Sequence, residues 1–391
     1  MKPERGLWSR IVEPENLRLA FAKAAKGKWH RESVRRFSAN LEVELSVMRR
    51  QLDEGGFPLG RCTSFRIFDP KERTIHAAVF PERVLHHAIM NVCEPVFERW
   101  LIDDTFACRT GRGRLAAISR AEQFARRHSW FLKMDVRKYF DSIDHQVLLA
   151  LLKRKFGERP LLDLFERIVR SHAAAPGRGL PIGSLTSQHF ANAYLGLADR
   201  FIKETLRCRP YVRYMDDMVV WAEDREELKR VRDAVKRFLR DELKLELKQE
   251  PCPQPTGRGM DFLGSRLFPG RTILSRQSRR RFVRKLRHHE DEWVEDRLSE
   301  AELQTRVTAM IAFVREADSA AWRRRVFANL ETGHRARTAS TAAAAGTTTP
   351  PTAVRRTATG TTRATATTTW ASALLSRPSS AWPARSGGLS G

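Results

Sequence analysis

Long hydrophobic runs are missing from this sequence. No stretch of about 18 apolar residues occurs, and the opening Met1-Lys2-Pro3-Glu4-Arg5-Gly6 has no apolar core of a secretory signal. A cytoplasmic protein with no membrane partner is expected. Paired cysteines are missing as well. Cys62, Cys93, Cys108, Cys208 and Cys252 are odd in number and scattered, without a Cys-x-x-Cys spacing, so neither a disulfide framework nor a structural zinc site is indicated. Negative charge is scarce: 46 Asp and Glu face 71 Lys and Arg, a net charge of +25 over 391 residues. With 41% hydrophobic residues the chain is neither wholly disordered nor fibrous, and it is long enough for two or three domains with real cores. Such a basic surplus calls for a polyanion; nucleic acid is the first candidate and an anionic membrane surface the second.

Apolar periodicity divides the chain. Residues near 14–55 read as helices, with Leu17, Leu19, Ala20 and Ala24, then Leu41, Leu45, Val47 and Met48, at helical spacing. Thr63 to Phe68 reads as a strand stopping at Asp69-Pro70, and Lys71 to Ile75 as its return. Helical spacing resumes from Arg83 to Leu101. Trp130 to Val136 reads as a strand, and Asp144 to Phe156 as a helix capped by Asp141 or Ser142. Tyr211 to Trp221 has apolar runs on both sides of Asp216-Asp217, which predicts a hairpin with the acidic pair at its turn. An amphipathic helix follows, carrying Leu228, Val231, Val235, Phe238 and Leu239. Beyond Phe268 the chain turns basic and helical. No acidic residue occurs after Glu331, and from about His334 the sequence is too poor in large apolar groups to repay ordering, so a disordered tail is expected.

Three segments carry chemistry together. Phe131-Leu132-Lys133-Met134-Asp135-Val136-Arg137-Lys138-Tyr139-Phe140-Asp141, Gly179-Leu180-Pro181-Ile182-Gly183-Ser184-Leu185-Thr186-Ser187-Gln188 and Tyr214-Met215-Asp216-Asp217 resemble, in order and separation, motifs A, B and C of the reverse transcriptase palm. An Asp-Asp turn alone is weak, since Asp is common in turns. Three carboxylates converging between apolar strands are another matter, because gathered negative charge is costly without a cation.

The resemblance implies an α+β, right-hand polymerase: fingers and a palm with an antiparallel sheet over 61–268, after a helical segment over 1–60 and before a helical basic thumb over 269–333, with the tail at 334–391. It implies an RNA-directed DNA polymerase using two Mg²⁺ ions, which Mn²⁺ can replace, held by Asp135, Val136, Asp216 and Asp217. Phe140, five residues after Asp135, stands where the family crowds the sugar 2′-hydroxyl, with Tyr139 as the fallback. Lys71 and Arg73, in Phe65 to Ile75, resemble the triphosphate-binding cations of the fingers hairpin, and Arg109 those of the second fingers motif; guanidinium forks suit phosphate oxygens. Lys248 falls where the family supplies a general acid to pyrophosphate, with Lys244 as competitor. Asp261-Phe262-Leu263-Gly264 resembles the primer grip. Arg276, Arg279, Arg280 and Arg281 are the expected phosphate contacts of the thumb.

Motif B is the most discriminating. Retroviral and group II intron relatives usually carry Gln-Gly and close with Ser-Pro, whereas Ile182-Gly183 with Ser187-Gln188 at the end is similar to the reverse transcriptases of diversity-generating retroelements. Pro81-Glu82-Arg83-Val84-Leu85-His86-His87-Ala88 and Phe190-Ala191-Asn192 also match. Such enzymes copy a template-repeat RNA into cDNA with errors opposite adenines, alongside a small basic accessory protein; partners expected here are therefore RNA, cDNA and dNTPs. Gly346-Thr347-Thr348-Thr349 and Thr367-Thr368-Thr369-Trp370 read as Asn codons taken one base late, which suggests an adenine-rich repeat beneath the tail. The competing readings are a reverse transcriptase of a bacterial defence system, an unclassified bacterial one, and a non-catalytic RNA-binding palm.

Overall fold

The computed structural model describes residues 3–68, 72–326 and 328. Lys71 and the tail from residue 334 lie outside the described residues. The described residues divide into two compact units, one running to Gly259 with Phe268–Gly270 added, the other comprising Met260–Leu267 and the described residues from Arg271 onward.

The first unit opens with helices α1 (Trp8–Ile11), α2 (Pro14–Ala25), α3 (Glu32–Ala39) and α4 (Leu41–Asp53). Leu17, Ala20 and Ala24 turn inward at helical spacing, but Leu19, expected beside them, is exposed because it sits one position off that stripe. Strands β1 (Cys62–Phe68) and β2 (Glu72–Ala78) form an antiparallel hairpin pairing Phe65 with Ile75. All of β1 is exposed, Phe65 and Phe68 included. Helix α5 (Phe80–Trp100) follows; α6 (Arg114–Arg127) leads into the central strand β3 (Trp130–Asp135).

After the single-turn α7 (Tyr139–Ser142) comes α8 (His145–Lys153), and its cap is a correction to the expectation: Asp144, not Asp141 or Ser142, accepts hydrogen bonds from the Gln146 and Val147 amides. Asp141 and Ser142 belong to α7, and the Ser142 hydroxyl donates to the Arg137 carbonyl instead. Helices α9 (Arg159–Arg170) and α10 (Leu185–Arg200) precede the hairpin of β4 (Tyr211–Tyr214) and β5 (Asp217–Ala222). The short β6 (Gln254–Pro255) completes an antiparallel sheet in the order β4-β5-β3-β6. Met218 to Ala222 are all buried, which is why β5 reads as a continuous apolar run without alternation. Helix α11 (Arg225–Asp241), capped by Asp224, lays Leu228, Val231, Val235 and Leu239 into the core.

The second unit holds β7 (Met260–Phe262), β8 (Ser265–Phe268) and β9 (Arg271–Leu274), a three-stranded sheet in that order, then α12 (Arg276–Val294) and α13 (Glu300–Arg315). A strand, residues 271–274, precedes the basic helix, which begins at Arg276, and the hairpin carrying Asp261 to Gly264 belongs with the basic helices, ahead of the expected boundary at 269. Leu274, Phe282, Leu286 and Trp293 pack on Leu303, Val307 and Ile311 as a separate core. Ser299 and Glu302 close a capping box at the start of α13. Among the described residues no helix is long and apolar enough to cross a membrane.

Candidate active site

The palm-like sheet brings the acidic residues to one edge. Antiparallel pairing sets Asp135, the last residue of β3, directly opposite Asp217, the first of β5. Tyr214 pairs with Asp217, so Met215 and Asp216 alone make the hairpin turn. Met215 adopts φ 54°, a left-handed conformation costing roughly 1–3 kcal/mol for a residue with a side chain. The acidic pair is thus split between turn and strand, not held wholly in the turn.

Two lysines balance this edge. Lys133 Nζ lies 3.0 Å from Asp217 Oδ1 and Lys248 Nζ lies 3.5 Å from Asp135 Oδ2. Lys248 also donates its backbone N–H to the Asp135 carbonyl at 2.9 Å. Its competitor Lys244 is turned to the Asp241 carbonyl, 2.7 Å away. Asp216 has its pKa pushed up to about 6, first by burial and then by the negative charge of Asp135 and Asp217, with Arg73 of β2 pulling it back. Lys133 escapes a motif search, although it stands two residues before Asp135 and so on the same face of β3.

As they stand, no three His, Cys, Asp or Glu side chains among the described residues are gathered closely enough to clasp a metal ion. The chemistry of the set nevertheless suits Mg²⁺: the donors are hard carboxylate oxygens, and a divalent cation offsets both the burial and the neighbouring negative charge that raise Asp216. Val136 continues β3 past Asp135 through a bridge to Leu247 and is buried.

The remaining candidates divide. Phe140 is half-buried and meets Tyr139 edge-on at 5.8 Å. Tyr139 itself is buried with its hydroxyl donating to the Ala191 carbonyl, which removes the fallback from any surface. Ile182 accepts the His76 N–H on its carbonyl at 2.8 Å, tying motif B to β2. Gly183 has φ 113°, and a Cβ there would stand 2.9 Å from Ile75 Cγ2, so both backbone and space demand glycine. Gln188, on α10, accepts a weak bond from the Cys108 thiol at 3.6 Å. Arg73 is exposed on β2.

Arg109 is a correction. Its side chain is 5% exposed and pairs with Glu98 at 2.9 Å. The guanidinium also donates to the carbonyls of Ile102 and Thr105. It braces its loop in place of the triphosphate contact expected.

In the second unit, Arg276 and Arg280 are exposed on α12 while Arg279 and Arg281 are half-buried. Arg279 lies over the Trp322 ring at 5.9 Å. Arg279, Arg280, Arg284, Arg287 and Trp322 line an open cleft of about 650 Å³. Arg284 and Arg287 were not among the expected contacts; they follow Arg280 at helical spacing, a signal that the consecutive run Arg279-Arg280-Arg281 obscures.

A family model described as reverse transcriptase (RNA-dependent DNA polymerase) matches residues 70–267. Protein YkfC of Escherichia coli strain K12 is 22% identical over 283 residues, covering 60% of this chain and 74% of that protein. The group II intron-encoded protein LtrA of Lactococcus lactis subsp. cremoris is 22% identical over 170 residues, 41% of this chain and 28% of its own length. The chain thus spans under a third of that intron-encoded relative. Among solved structures, telomerase from Candida albicans in complex with a TWJ fragment of telomeric RNA matches with TM-score 0.39 and 12% identity, over 55% of this chain and 45% of that one.

Proposed function

The chain belongs to the reverse transcriptase (RNA-dependent DNA polymerase) family, and from that premise we propose that it copies a template-repeat RNA into cDNA, with errors at adenines, to diversify a target gene. The observation that carries the polymerase reading is the register that puts Asp135 opposite Asp217 with Asp216 on the adjoining turn. These carboxylates would hold two Mg²⁺ ions, which when bound activate the primer 3′-hydroxyl and stabilise the leaving pyrophosphate. Lys133 and Lys248 keep the carboxylates neutralised between cycles, and Lys248, which pairs with Asp135, gives a proton to pyrophosphate. Arg73 meets the triphosphate, and Phe140 crowds the sugar so that dNTPs are taken over rNTPs. Gln188 and Gly183 shape the pocket for the nascent pair. Arg276, Arg279, Arg280 and Arg281, joined by Arg284 and Arg287, hold phosphates without reading sequence.

The diversification part rests on Ile182-Gly183 and Ser187-Gln188. An aliphatic Ile182 cannot hydrogen-bond around the nascent pair as an amide would. A small basic accessory protein that helps hold the template fits the same reading. Similarity to an intron-encoded protein favours a second reading, an intron-type reverse transcriptase. The flanking DNA separates them: paired repeats differing at adenines support diversification, and a surrounding self-splicing intron overturns it. The polymerase itself is tested by extending a primer on RNA with dNTPs and Mg²⁺; absence of any RNA-templated extension by the full chain rejects it.

A further inference from the structure

Beneath the Met215-Asp216 turn lies a buried ion pair. Asp199, on α10, and Arg213, on β4, are both fully buried, 2.7 Å apart. Asp199 Oδ1 accepts from the Tyr211 hydroxyl and from Arg213 Nε, both at 2.7 Å. Its Oδ2 accepts from the Thr105 hydroxyl and from Arg213 Nη2, again both at 2.7 Å. Arg213 Nη2 also donates to the Asn192 carbonyl at 2.9 Å, and Nη1 to the Asn192 side-chain oxygen at 2.8 Å. One donor remains, and Nη1 directs it to the Met215 carbonyl at 2.9 Å. All five guanidinium N–H groups are thereby used, and so are the lone pairs of the buried carboxylate.

That last bond reaches outside the core. The Met215 carbonyl belongs to the planar peptide that carries Asp216, so fixing the oxygen fixes where the Asp216 backbone starts. Met215 holds φ 54° and would leave that conformation readily if nothing held it. We propose that Arg213 is a positioning residue for the polymerase site: neutralised by Asp199 and anchored on Asn192, it holds the left-handed turn that presents Asp216. Outer partners of this kind typically change metal affinity by roughly tenfold to a hundredfold when removed. Lysine cannot substitute, because three donors on a flexible stem cannot serve Asp199, Asn192 and Met215 together.

The proposal rests on the reading of Asp216 as a metal-holding carboxylate, and the test keeps the two apart. In the full chain, Arg213→Lys keeps a charge for Asp199, so folding and RNA affinity should persist. Mn²⁺ binding, followed by the EPR signal of the free ion on an RNA template with a dideoxy-terminated primer, should weaken roughly tenfold to a hundredfold. A merely structural role would lower the melting temperature and leave ion affinity per folded molecule unchanged; that result overturns the proposal. Should Arg213→Lys fail to fold, Asn192→Ser removes a single anchor and should shift Mn²⁺ affinity in the same direction, wild-type affinity again overturning it. Asp216→Asn is measured alongside. If it binds Mn²⁺ and extends primers normally, the site reading falls and takes the proposal with it; if it is inactive while Arg213→Lys matches wild type, only the positioning role falls.

Discussion

Ile182 and Gly183 are neighbours with different duties. Glycine is compelled at 183 by φ 113° and by the approach of Ile75, so Gly183→Ala should lower stability by about 1–3 kcal/mol. Urea unfolding checks this, and an unchanged midpoint contradicts it. Ile182 is free of such geometry, and Ile182→Gln should lower misincorporation opposite adenine by about tenfold, a difference of about 1.4 kcal/mol at the transition state. Single-nucleotide incorporation on templates differing only at the coding base measures it; equal error rates reject a role for Ile182. Asp135, Asp216 and Asp217 are legible in the sequence because local apolar runs force each onto a strand end or turn. Arg109 misleads for the opposite reason. A guanidinium satisfied by core carbonyls and one awaiting phosphate look the same in sequence, and only the loop's path toward Glu98 separates them.

Helix α5 adds a pH dependence. His87 has its pKa pushed down to about 4, first by burial and then by Lys28, Lys23, Arg83 and His86. Unfolded, it titrates near an ordinary 6.5. Between those values the unfolded chain binds a proton that the folded chain refuses, so stability falls as pH drops from 6.5 toward 4 and is insensitive to His87 above that window. His87→Gln should flatten this fall, and urea midpoints at pH 7 and pH 4.5 that change equally in both proteins would contradict it. Helix α12 gives a second test. Its cleft is lined by Arg280, Arg284 and Arg287, so neutralising Arg280 and Arg284 should reduce the log-log salt slope of RNA binding by about 0.7–0.9 per lost contact. An unchanged slope removes them from the interface. Helix existence was legible here, since the stripe repeats at 3.6 residues. Which arginines share a face depends on the register of that stripe, and a run of consecutive charges hides it. The cap was misplaced because the sequence reading began the helix at Asp144 and looked to Asp141 or Ser142 before it, whereas α8 begins one residue later and makes Asp144 itself the cap.

Across the whole molecule, what the sequence conceals is long-range pairing. Asp199 and Arg213 have no local pattern to announce them, because their partnership exists only once α10 lies beneath the β4-β5 hairpin. The same holds for Lys133 and Lys248, which become counter-charges only when β5 and the segment after α11 flank β3. The proposal tested most directly is that this arrangement makes Asp216 part of a polymerase site and gives it no part in RNA binding. Primer extension and RNA affinity measured together on Asp216→Asn test it most directly. Extension should be lost while RNA binding matches wild type; extension at the wild-type rate would contradict the assignment of the site.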